Sequence, residues 1–99
     1  AAAIGLAVFR RAPAAARTSR SYLVALRLLA PAGLGGKEAE ELLDQASKRD
    51  GVQIDVQMMT AAISVAQRKS PESLPSLARL AATAGLANHP SVRVQLARA

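Results

Sequence analysis

The stretch EAEELLDQASKRDGVQIDVQMMTAAISVA, Glu38–Ala66, decides the fold, because it holds the body of one helix, a turn and the start of the next. Ala39, Leu42, Leu43 and Ala46 stand at i, i+3, i+4 and i+7, a spacing that places four apolar side chains on one face of an α-helix. Met59, Ala62, Ile63 and Ala66 repeat that spacing after the turn. Between the two lie Gly51-Val52 and Asp55-Val56. Glycine supplies the left-handed residue that closes a helix, and a carboxylate accepts hydrogen bonds from the free N–H groups that open the next. Glu38, Glu40 and Glu41 crowd the start of the first helix while Lys48 and Arg49 stand at its end, the order that the helix dipole favours.

Working outward, the same stripes recur. Tyr22, Ala25, Leu26 and Leu29 precede the Met59 set by 37 residues, and Leu74, Leu77, Ala78 and Ala81 follow the Ala39 set by 35. The Gly-apolar pair returns as Gly85-Leu86, followed by Ser91-Val92, where Ser91 is expected to cap a last helix as Asp55 caps an earlier one. Pro31 with the Gly33–Gly36 stretch, and Ser70-Pro71, end helices because proline cannot continue the backbone ladder. Pro75 then fits only in a first turn capped by Ser73. The spacing predicts helices near residues 2–10, 19–30, 37–49, 56–68 and 73–84, with another beginning near residue 91.

Composition supports helices over sheets. Of the 99 residues 51% are hydrophobic, mainly Ala, Leu and Val, and Phe9 and Tyr22 are the only aromatics. The expected class is all-α: a right-handed α-solenoid of antiparallel helix hairpins, about two to two and a half repeats long. With no cysteine in the sequence, disulfides, thiolate metal sites and cysteine nucleophiles are excluded. The longest apolar run, Ala1–Phe9, falls well short of the roughly 20 residues that cross a bilayer.

The net charge of +6 is unevenly spread. Residues 1–36 carry Arg10, Arg11, Arg17, Arg20 and Arg27 and no acid, whereas residues 37–99 carry eight basic and seven acidic side chains. An opening rich in Ala, Arg and Ser and free of acids has the character of an organellar presequence. The same residues also suit a helix of the fold followed by a basic linker. Arg17, Arg20 and Arg27 recur near multiples of the helical turn, so together with Arg10 and Arg11 they are expected to line a phosphate-facing ridge. Arg68, Lys69, Arg79, Arg93 and Arg98 are interspersed with acids and read as ordinary surface.

Glu38–Ala66 resembles the join between two pentatricopeptide repeats, in which an Ala-x-x-Leu-Leu helix ends at Gly-Val and passes through a turn into the next first helix. Thr18-Ser19-Arg20-Ser21-Tyr22 and His89-Pro90-Ser91-Val92 fall in the same phase. The implied organisation is an N-terminal helix and basic linker at 1–18, repeats at 19–55 and 56–91, and the start of a third at 92–99. The resemblance implies a non-enzymatic binder of organellar RNA, mitochondrial or alternatively plastid, reading about one base per repeat through paired side chains. The matching pairs are Leu23 with Asp55 and Thr60 with Ser91. Leu23 cannot hydrogen-bond a base edge, which leaves Thr60 with Ser91 as the one polar pair.

The expected partners are therefore RNA, held mainly by its backbone, and neighbouring protein subunits of a ribonucleoprotein such as a mitochondrial ribosome. A scaffold role without RNA contact is the alternative. Leu6 and Phe9 at one end, and Val92, Val94 and Leu96 at the other, are expected to form apolar ends that need cover. Chemistry has little to work with. His89, the single histidine, sits beside Pro90 in an expected turn, and Glu38, Glu40, Glu41 and Asp44 occupy the solvent side of their helix. No cofactor or metal is expected.

Overall fold

Three of the four apolar stripes are buried in full: Tyr22, Ala25, Leu26 and Leu29; Ala39, Leu42, Leu43 and Ala46; Met59, Ala62, Ile63 and Ala66. In the fourth, Leu77 and Ala81 are buried while Leu74 and Ala78 are half-exposed. The computed structural model describes residues 2–13 and 16–98, which form six α-helices and no strand. These are α1 (Ala2–Arg11), α2 (Ser19–Leu29), α3 (Gly36–Ser47), α4 (Val56–Arg68), α5 (Leu74–Thr83) and α6 (Pro90–Ala97), with a 3₁₀ turn at Pro71–Ser73 leading into α5. No helix among the described residues is long and apolar enough to cross a membrane.

Helix ends follow local chemistry. Asp55 caps α4, its Oδ1 accepting from the Met58 N–H at 2.8 Å. Thr18 and Ser21 cap α2 reciprocally: the Ser21 N–H donates to Thr18 Oγ1, and the Thr18 N–H donates to Ser21 Oγ at 2.7 Å. Gly51 and Gly85 both take the left-handed conformation, with φ of 78° and 76°, just where the helix stops are expected.

One expected cap is corrected, and another holds its position without a side-chain bond. Ser91 does not cap α6; the cap falls two residues earlier, at His89, the helix starts at Pro90, and His89 Nδ1 accepts from the Ser91 N–H at 3.3 Å. Proline needs no partner for a missing N–H, so the first helical position falls to Pro90 and the cap to the residue before it. Ser73 does hold the cap position of α5, as expected, but its buried side chain makes no cap bond, the preceding 3₁₀ turn leading directly into the helix. Pro75 does fall in the first turn of α5.

Helix α4 is the hub, with α2, α3, α5 and α6 all packed against it. Helices α2 and α3 also touch, as do α3 and α5, while α1 packs on α2 alone. The start of α3 abuts the end of α4: the Gly36 N–H donates to the Lys69 carbonyl at 2.8 Å. A Cβ on Gly36 would lie 2.7 Å from both Ala66 Cβ and the Ser70 carbonyl oxygen, so only glycine permits this approach. The result is a slab 34 × 29 × 17 Å.

Candidate nucleic-acid interface

Helix α3 is the only one of the six that carries carboxylates; α2, α4 and α6 contain Arg20, Arg27, Arg68 and Arg93 and no acid. Because α2 packs on α4 and α4 on α6, these acid-free helices share one side of the molecule. A groove of about 440 Å³ runs across them. Its polar lining is Arg27 from α2, Gln57, Thr60, Ser64 and Arg68 from α4, and Gln95 from α6, over apolar residues that include Leu26, Ala61 and Val65. Both arginines are exposed.

The walls are held by amide hydrogen bonds. Gln67 Nε2 donates to the Gln95 carbonyl at 2.6 Å, and Gln95 Nε2 donates to the Thr60 carbonyl at 3.1 Å. These bonds fix α6 against α4 and set the width of the groove. Gln95 Oε1 is shielded from solvent without a hydrogen-bond partner. Thr60 Oγ1 donates to the Gln57 carbonyl one turn back at 3.2 Å, which commits its proton to its own helix.

The expected site residues are distributed over several surfaces. Arg27 and Thr60 share the groove, while Ser91, exposed in the first turn of α6, is not part of its lining. Arg10 and Arg11 are exposed in the last turn of α1. Arg17 precedes the α2 cap and lies outside that helix. Its guanidinium stacks over Phe9, 4.9 Å from the ring centroid, and Nη2 donates to the Arg10 carbonyl at 2.9 Å. Phe9 in turn meets Tyr22 edge-on, with centroids 5.2 Å apart. Arg17 therefore ties the end of α1 to α2, a packing duty that uses the cation–π attraction. Arg20 lines a different groove, between α1 and α2. A single ridge through Arg17, Arg20 and Arg27 is not formed.

Arg68 is the functional candidate that interspersed charge concealed. The signal lay in α4 itself: Gln57, Thr60, Ser64 and Arg68 follow at steps of three, four and four, a polar stripe opposite the Met59–Ala66 stripe. Val56–Arg68 also contains no acid to neutralise it. Among the described residues no group of three or more His, Cys, Asp or Glu side chains could hold a metal ion. Set against protein-family models, curated proteins and solved structures, the chain matches none of them.

Proposed function

We propose that this chain is a non-enzymatic RNA-binding element that holds single-stranded RNA by its phosphates in the groove across α2, α4 and α6. The observation that carries the reading is the segregation of charge: the three helices forming the groove bear arginines and no carboxylate. Arg27 and Arg68 offer forked donors suited to phosphate oxygens, and the uncharged amides and hydroxyls between them add donors without repulsion. Contacts of this type position a strand without reading its bases. The packing sequence α2–α4–α6 beside α3–α5, in a slab 17 Å thick, fits two courses of stacked helices, the plan of a short right-handed α-solenoid of pentatricopeptide type. An organellar ribonucleoprotein, mitochondrial or plastid, is the setting that suits the acid-free, arginine-rich N-terminal third.

The test is fluorescence anisotropy of a labelled single-stranded RNA titrated with the 99-residue chain across a salt series. Each neutralised phosphate contributes about −0.7 to the slope of log affinity against log salt. Arg27→Gln with Arg68→Gln should flatten the slope by about 1.4. An unchanged slope would remove the groove from the interface.

A further inference from the structure

Helix α1 turns Leu6 and Phe9 inward against α2, so the apolar N-terminal end expected from those two residues is covered within the chain. At the other end Val92 is buried too, leaving Val94 53% exposed, whereas beside α1 and α2 the side chains left out are Ile4, 66% exposed, Val8, 64%, and Val24, 49%. Val8 and Val24 face a groove of about 390 Å³ that runs between α1 and α2, and Ile4 lies one turn from Val8 on the same face of α1. Gly5, Ala12 and Ala25 keep the floor of the lining low, and Arg20 is its one charge. This groove is separate from the one assigned to RNA, sharing no lining residue with it.

We propose that the α1–α2 groove is a docking site for an amphipathic helix of a partner protein, one that lays an apolar stripe along Val8 and Val24 and carries acidic residues on its flanks. The helical form of the occupant comes from the shape and from the backbone. Two adjoining helices frame the groove, which α1 and the residue after it line from Gly5 to Ala12, about two helical turns, and the i, i+3, i+4, i+7 anchors of a third helix fit alongside such a pair. An extended segment would find no strand edge here for its backbone groups, whereas a helix satisfies its own.

The acidic flank comes from charge. Helices α1 and α2, which build both walls, carry Arg10, Arg11, Arg20 and Arg27 and no acid; Arg20 lines the groove itself and Arg11 is exposed at the end of α1, whereas Arg10 lies in another pocket beside Glu38 and Glu41. A second copy docking there through the same face would set this cationic surface against itself, so self-association is disfavoured. A helix bearing Glu or Asp beside its apolar stripe satisfies both the concave shape and the charge.

The experiment uses the full chain and a designed 14-residue amphipathic peptide, with leucines at i, i+3, i+4 and i+7 and glutamates on both flanks, beside an otherwise identical peptide with lysines as flanks. Isothermal titration should show binding of the glutamate peptide at least tenfold tighter than that of the lysine peptide. Val8→Glu with Val24→Glu should weaken the glutamate peptide at least tenfold; both positions are exposed, and circular dichroism checks that the fold is retained. Arg20→Glu should weaken it severalfold, and Arg27→Gln with Arg68→Gln, in the other groove, should leave it unchanged. Equal binding of both peptides, or of neither, would overturn the proposal. So would a dimer in sedimentation that Val8→Glu with Val24→Glu dissociates, or binding to phosphatidylserine vesicles that the same pair abolishes in the absence of peptide binding. Loss of RNA binding with peptide binding intact would count against the RNA groove alone.

Discussion

The groove across α2, α4 and α6 and the groove between α3 and α5 lie in one small molecule and have nearly the same size, about 440 and 420 Å³, yet opposite electrostatics. The first holds Arg27 and Arg68 with no carboxylate. The second holds Glu40, Glu41 and Asp44 beside Lys37 and Arg79, and the Lys48–Asp44 ion pair at 3.1 Å adds to its internal neutralisation. Cations that face carboxylates across a few ångströms have their field cancelled locally, whereas cations with none nearby project it outward. On the function proposed above, a polyanion would be drawn to the first surface and not to the second, although both contain two basic side chains. Counting basic residues is therefore a poor guide to an anion site; the neighbours brought in by packing decide.

This contrast can be broken at its foundation, the seam between α3 and α4 that separates the two sides. Leu43→Ala, at a fully buried position, should cost about 2–5 kcal/mol in chemical denaturation, and Leu42→Ala, slightly less enclosed, should fall at or below that value. A loss under half a kcal/mol at Leu43 would mean that the seam is not a packed core. A sharper probe of the electrostatics follows. With a slope flattened by about 1.4, the Arg27→Gln, Arg68→Gln protein should lose roughly sevenfold less RNA affinity than the parent between 50 and 200 mM salt.

Asp55→Ala should destabilise the protein by about 1 kcal/mol, since it removes the acceptor for the Met58 N–H and frays the start of the helix that carries the polar stripe. Thermal melts followed by circular dichroism measure this directly. In the opposing groove, Lys37→Gln with Arg79→Gln should leave the salt slope where it was; a flattening equal to that of the Arg27 and Arg68 pair would erase the distinction between the two sides. Smallest of all is the effect of Thr60→Asn. Base preference in a panel of homopolymeric RNAs should hardly move, because Ser91 is not in the groove and cannot pair with position 60 there.

Most sequence-based expectations with a local cause succeeded, though α3 ends at Ser47, two residues before the expected bound. Helix bounds, the turns at Gly51 and Gly85 and the Asp55 cap all depend on residues within a turn or two of one another, and the periodic stripes name the buried face without reference to any partner. The cap at His89 was missed because Pro90 takes the first helical position, moving the cap from Ser91 to His89. The arginine ridge failed for a longer-range reason. Linear spacing placed Arg17 with Arg20 and Arg27, but Arg17 precedes the capped start of α2, and the ring of Phe9 on α1 draws its guanidinium away.

From the sequence alone came an all-helical chain, its helix order, its inward faces and a cationic excess, since period, capping chemistry and composition are properties of the chain itself. Tertiary structure alone decided which charges stand together. The approach of Gly36 to Ala66 and Ser70 seats α3 on α4, the hydrogen bonds of Gln67 and Gln95 fix α6 on the same helix, and α2 packs against α4 beside them. Arg27 and Arg68 are 41 residues apart in the chain and share a groove only because of those contacts, and an electric field depends on distance in space rather than along the backbone.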